Sequence, residues 1–178
     1  MPRLIKDGAI VEDRWTLVRE TGPGTLPAEL PLIVPLASWN AQRDALRARG
    51  EVGVWLPPEA DWEPLASDLA RLPLIAVDFP QFSDGRGYST GRLLREKYRF
   101  GGELRAIGDV LRDQLFYLRQ CGFNAFAVRA DRDLEDALRG LADFSDSYQA
   151  SAATPLPLFR RRLAAPQSRA SPAREARR

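Results

Sequence analysis

The chain reads as an α/β protein, with repeating βα units around a mainly parallel five-stranded sheet that is open or half-barrel-like, preceded by a short N-terminal hairpin. Three observations predict this. Five short apolar runs alternate with helical patterns from Pro31 onward, consecutive βα units imply right-handed crossovers between parallel strands, and five strands are too few for a closed eight-stranded barrel.

Each element follows from its local pattern. Gly8 to Val18 holds two short apolar stretches around a polar turn, a hairpin signature. Thr21-Gly22-Pro23-Gly24-Thr25 breaks any period and reads as a linker. The strands are Leu32–Leu36, Gly53–Leu56, Leu74–Asp78, Leu104–Ile107 and Ala125–Val128. Helices are predicted over Ser38–Arg49, Asp61–Arg71, Ser89–Tyr98, Asp109–Cys121 and Leu134–Phe144. In the last, Leu134, Ala137, Leu138 and Leu141 form one apolar stripe. Gly122 is placed to end the helix before it, with Cys121 as a buried filler. Residues 150–178 are rich in Ala, Ser, Pro and Arg and are expected to be disordered. The expected organisation is a hairpin and linker over 1–26, an α/β domain over 27–149 and an Arg-rich tail over 150–178.

The net charge of +2 conceals an uneven distribution. Seven arginines and one acid fall in 160–178, which leaves 1–159 with a formal charge of −4. A nucleic-acid groove needs several bases facing phosphates, so nucleic acid is not an expected partner of this mixed-sign body. There is no histidine and one cysteine, Cys121. Those counts remove an internal disulfide, His/Cys zinc sites, a self-held iron–sulfur cluster and the Ser-His-Asp and Cys-His catalytic pairs. No metal site is expected, and the sequence names no cofactor. The chain also lacks an apolar run long enough to span a bilayer and a signal-peptide core, which predicts a cytoplasmic protein without a membrane partner.

The chemistry-bearing residues concentrate between Asp78 and Phe126. Functional groups on parallel sheets gather beyond the C-terminal strand ends. That rule brings Asp78, Asp84, Arg86, Asp109 and Arg129 to one mouth, with Tyr88 and Gln114 nearby. Asp78, Asp109 and Gln114 are the candidate catalytic residues. Asp84, Gly85, Arg86, Gly87, Tyr88, Ser89, Arg105 and Arg129 are the candidate ligand-binding residues. Gly85 to Gly91 spaces its glycines one residue longer than a dinucleotide fingerprint, so what survives is a glycine-rich loop, an arginine and a helix start suited to a small oxyanion.

Structural roles compete with each of these. Asp109 and Ser89 both suit helix N-caps, and Asp84-Gly85 suits a turn. Arg86 can pair with Asp78 or Asp84. Arg105, inside a strand, needs a carboxylate such as Glu103 or Asp78. Gln114 lies on an apolar stripe and must bond either buried backbone or a ligand.

The ordered run Asp78-Phe79-Pro80, Phe82, Asp84-Gly85-Arg86-Gly87-Tyr88-Ser89, Arg92-Leu93-Leu94-Arg95, Gly102-Glu103-Leu104-Arg105-Ala106, Gly108-Asp109-Val110-Leu111, Asp113-Gln114-Leu115, Gly122-Phe123 and Phe126 resembles the bacterial domain of unknown function 934 family. Gly91 and Asn124 stand where that pattern has Ala and Asp. Members of the family are labelled oxidoreductases of sulfite reduction and are encoded beside a sulfite or nitrite reductase haemoprotein. The resemblance therefore implies an accessory role in assimilatory sulfate and sulfite reduction, upstream of cysteine biosynthesis, with that haemoprotein as partner. It transfers no catalytic residue. Two alternatives stay open: a self-sufficient small-molecule enzyme or oxyanion-binding protein with an Asp/Arg pocket, and a non-catalytic interaction module.

Overall fold

The computed structural model describes residues 2–19, 26–29, 31–144, 147–152 and 154–164. Its strands are β1 (Arg3–Lys6), β2 (Ala9–Glu12), β3 (Thr16–Leu17), β4 (Leu32–Pro35), β5 (Val52–Leu56), β6 (Leu74–Phe79), β7 (Glu103–Gly108) and β8 (Ala125–Phe126). They form one eight-stranded sheet of order β2-β1-β8-β7-β6-β5-β4-β3, curled into an open half-barrel. β3 to β8 run parallel to their neighbours, whereas β1 is antiparallel to both β2 and β8.

The expected α/β half-barrel and N-terminal hairpin are therefore present, but the sheet has eight mixed strands instead of five mainly parallel ones. The difference begins at Asp7-Gly8, where both residues have positive φ (50° and 80°) and close a tight turn. Such a turn matches the right-handed twist of a two-residue hairpin. It makes Arg3–Lys6 a strand, while the Trp15–Val18 stretch, expected to pair within the hairpin, supplies β3 at the opposite edge.

The helices are α1 (Leu36–Ala41), α2 (Arg43–Arg49), α3 (Arg86–Glu96), α4 (Arg112–Gln120), α5 (Leu134–Gly140) and α6 (Leu158–Ala164). The single helix expected over Ser38–Arg49 breaks at Gln42 into α1 and α2. The one expected over Asp61–Arg71 is a 3-10 helix, Glu63–Asp68, with Pro64 in its first turn. α6 falls inside the stretch expected to be disordered, where Leu158 N–H donates to the Tyr148 carbonyl (3.0 Å). The linker at 21–25 and the tail from 165 onward lie outside the described residues.

Parallel strands in unbroken chain order, joined by right-handed crossovers, put every connecting helix on the same face. Side-chain parity along the strands shows the result. Ile75, Val77 and Phe79 of β6 join a core with Leu94 of α3, Leu115 and Leu118 of α4 and Ala137 of α5. Ile33, Leu74, Ala76 and Ile107 point to the other, inner face, where Trp15, Leu17, Trp55 and Ala127 close over them in place of helices. Each large apolar side chain buried in either layer stabilises the fold by about 1.5–3 kcal/mol.

Close approach of α3 to the sheet depends on glycine. A Cβ at Gly87 would lie 2.6 Å from Phe79 Cζ, and one at Gly91 would lie 2.3 Å from Phe123 Cε2. At the end of β7, Gly108 has φ +94°, and a Cβ there would lie 2.4 Å from the Phe79 carbonyl oxygen and 2.8 Å from Asp78 Oδ1. Backbone cannot retreat as a side chain can. Gly108→Ala is expected to lower stability by about 2–4 kcal/mol through positive φ and overpacking, read as a fall in the urea midpoint with an unchanged m-value.

Candidate functional site

Three arginine–carboxylate pairs stand at the C-terminal rim of the sheet. Asp78, at the end of β6 and buried on the inner face, accepts from Arg19 Nη1 at 2.7 Å. The Arg19 guanidinium also lies 5.4 Å from the centroid of the Trp55 ring, which fixes it from a second side. Asp109, just beyond β7, accepts from Arg129 Nη1 (3.0 Å) through Oδ1 and from Phe82 N–H (3.0 Å) through Oδ2. Asp84 takes two bonds from Arg86, at 3.0 Å from Nε and 2.7 Å from Nη2. The predicted grouping of Asp78, Asp84, Arg86, Asp109 and Arg129 at one edge thus describes where these residues stand. Their charges are engaged with one another or with Arg19 and Asp131.

Electrostatics follow from the pairing. The Arg86 side chain and its backbone N–H hold the Asp84 carboxyl below the usual aspartate range. Arg129 does the same for Asp131, with 2.9 Å and 2.7 Å bonds from Nε and Nη2, and the two acids in turn raise the Arg129 pKa.

Local capping differs from the expected pattern. α3 begins at Arg86, three residues before the predicted start, and the Asp84 carboxylate accepts the Arg86 N–H (3.2 Å). Ser89 is therefore an exposed residue inside the helix and not its N-cap, and Gly85 occupies that position. Gly87, expected in a flexible loop, is a helical contact residue against Phe79. Asp109 is likewise not the cap of α4, which starts after Leu111.

The remaining candidates are engaged within the scaffold. Gln114 is buried at the start of α4, and its Oε1 accepts the Leu111 N–H at 2.8 Å. Its amide faces the Tyr88 hydroxyl, whose pKa burial pushes up and Gln114 partly draws back. Tyr88 packs between Phe79 and Tyr117, with ring centroids 5.2 and 4.9 Å away. Both residues serve the helix–sheet interface. Cys121 is buried there as well, and burial raises its thiol pKa.

Arg105 belongs to the inner face, nearer the opposite end of β7. It is 3% exposed and reaches Glu103 Oε1 through Nε (2.7 Å) and Asp13 through both Nη atoms (2.9 and 3.1 Å). Lys6 completes an alternating row by pairing with Glu103 Oε2 at 2.8 Å. Of the alternative partners expected for Arg105, Glu103 or Asp78, the structure has Glu103, and Asp13 joins it. Sequence reading missed Arg19, Asp13 and Lys6, because their partners lie 59 or more residues away and no local spacing encodes such pairs.

At the other end of the sheet Arg95 is a half-buried clamp. It donates to the carbonyls of Gly122 (2.8 Å), Gly102 (2.9 Å) and Phe100 and to Asn124 Oδ1 (2.9 Å). Among the described residues no carboxylate bonds it, and burial lowers its pKa. Among the described residues no group of three or more His, Cys, Asp or Glu side chains is arranged to hold a metal ion.

Two measurements check these roles. Arg105→Ala leaves Asp13 without a cation and Glu103 with Lys6 alone, and is expected to cost about 3–5 kcal/mol in denaturant unfolding. Arg86→Ala should leave the unfolding midpoint nearly unchanged. For Asp84 and Asp131 the sign is that of a depressed carboxylate: their contribution is present above the unfolded aspartate value of about 3.9 and is lost as pH falls through the lower folded values. Side-chain carboxyl NMR is expected to show Asp84 and Asp131 titrating below that value, with Arg86→Ala returning Asp84, and Arg129→Ala returning Asp131, to the ordinary range.

No curated protein matches the chain. No helix among the described residues is long and apolar enough to cross a membrane. The family described as a bacterial protein of unknown function (DUF934) matches residues 53–159, a span that runs from β5 through the rim acids and the Arg95 clamp to the start of α6, and the chain belongs to that family.

Proposed function

We propose that this chain is a cytoplasmic accessory protein of assimilatory sulfate and sulfite reduction, acting beside a sulfite or nitrite reductase haemoprotein. Family membership supports the setting, since the residues that carry the resemblance, Asp78 to Phe126, lie within the matched span. The observation that carries the accessory role is the pairing at the rim. Asp78, Asp84 and Asp109 are each bonded to a guanidinium at 2.7–3.0 Å. Carboxylate oxygens already occupied by guanidinium and backbone donors are committed to the scaffold, so the rim suits docking better than self-contained acid–base chemistry. Sirohaem and the iron–sulfur centre would be held by the reductase, because this chain has no histidine and a single cysteine. Arg86 and Arg129, whose side chains stay 59% and 38% exposed, are the guanidinium groups this rim offers to an acidic surface or a small oxyanion.

Deleting the gene in its native host is expected to slow growth on sulfate as sole sulfur source and to leave growth on cysteine unchanged. Affinity purification of the full chain from that host should bring down a protein with a sirohaem absorbance spectrum. Equal growth of the deletion strain on both sulfur sources overturns the proposal.

A further inference from the structure

An arginine-lined cavity of about 800 Å³ opens at the end of the sheet opposite the rim, between the C-terminal ends of α3 and α4 and residues Ala150, Ser151, Ala152 and Pro155. Arg92, Arg95, Arg99 and Arg119 line it, and the single acid in its wall is Glu96. Glu96 is already bonded to Arg92 Nε at 3.0 Å. Asp7 lies beyond Asn124, whose Nδ2 donates to the Asp7 carboxylate (3.0 Å) and so stands between that acid and Arg95. Four guanidinium groups against one lining carboxylate leave a surplus of three positive charges.

The fold accounts for only part of that surplus. Two helices end here, each contributing about half a negative charge at its C-terminus. Arg95 already meets the local carbonyls of Gly102 and Gly122. Among the described residues Arg99 makes no ion pair or hydrogen bond, and the Arg119 side chain makes only a ring contact with Phe116, 5.4 Å from its centroid. Structural arginines normally find carboxylates, as Arg19, Arg86 and Arg105 do elsewhere in this chain. Like charges gathered around an open volume without counter-charges are stabilised when an anion enters.

The same wall continues into an aromatic recess. A second cavity of about 360 Å³ shares Arg92, Ala150 and Ser151 with the first and is lined by Phe116, Tyr117 and Tyr148. Tyr117 and Tyr148 are exposed there, so ring faces are open to a flat group. Together the volumes suit a ligand of nucleotide size.

We infer that this end of the molecule is a binding site for a nucleotide, its phosphates held by Arg92, Arg95, Arg99 and Arg119 and its base seated against Tyr117 and Tyr148. The inference is independent of the sulfite-reduction reading, and either can fail alone.

The test is titration of the purified full chain with ADP and, separately, with inorganic pyrophosphate, by calorimetry at low salt. ADP is expected to bind, and more tightly than pyrophosphate. Arg99→Asn combined with Arg119→Gln removes two charged hydrogen-bond donors and should weaken ADP about tenfold or more. Asn suits the positive φ at Arg99, so the variant is expected to fold, and circular dichroism checks that it does. Tyr117→Ala should bring ADP down to the affinity of pyrophosphate. Arg139→Gln, on α5 and outside both cavities, should change nothing. Failure of the wild type to bind ADP overturns the inference. So does pyrophosphate binding as tightly as ADP, or ADP binding that survives the double substitution in a folded protein.

Discussion

Every arrangement in this molecule follows from parallel strands laid down in chain order, β3 through β8, without a reversal. Because each right-handed crossover then returns on the same side, α1 to α5 have one face to share and the other face receives none. A doubly wound sheet would cover both faces with helices. Here curvature replaces the missing layer: Trp15 and Trp55 fold over Ile33, Leu74, Ala76 and Ile107, and Trp55 Nε1 finds the Val18 carbonyl at 2.9 Å.

The inner face also explains the charged residues inside strands. Between two helical layers Arg105 would be an unmatched ion. On a curled face bounded by the N-terminal segment it meets Asp13 and Glu103, and Lys6 extends the row. Such pairs add little net stability relative to well-packed apolar residues, but removing one member strands the other in low dielectric. On the helix side the corresponding device is Asp68. Burial opposes its ionisation, and bonds from Arg47 and Trp39 together with the nearby Arg43 outweigh that, so its pKa is lowered.

Much of this was legible in the sequence. The five central strands sit where apolar runs predict them, and the glycine at 122 ends α4 as expected, with Gly122 N–H donating to Arg119 O and Phe123 N–H to Leu118 O at 3.0 and 3.1 Å. Placing Asp78, Asp109 and Arg129 at one edge needed only the strand-end rule. What local pattern could not supply was long-range partnership: nothing near Asp78 points to Arg19, and nothing near Arg105 points to Asp13. The glycines misled in a different way. Gly87 and Gly91 are four apart, a helical spacing that marks a face in contact with Phe79 and Phe123, and the flexible-loop reading overlooked it. Asp7-Gly8 was a readable turn signal that would have recovered β1.

The three inner-face partners Lys6, Asp13 and Arg19 all come from the first nineteen residues, whereas their counterparts Glu103, Arg105 and Asp78 lie inside the span matched to the family. A fragment excised at residues 53–159 would carry the family motif yet lose β1 to β4, half the strands, and would leave Asp78 without its cation and the Glu103–Arg105 pair without its outer partners along a naked sheet. The recognisable segment is therefore not an autonomous folding unit, and recombinant work on it has to retain the amino-terminal arm.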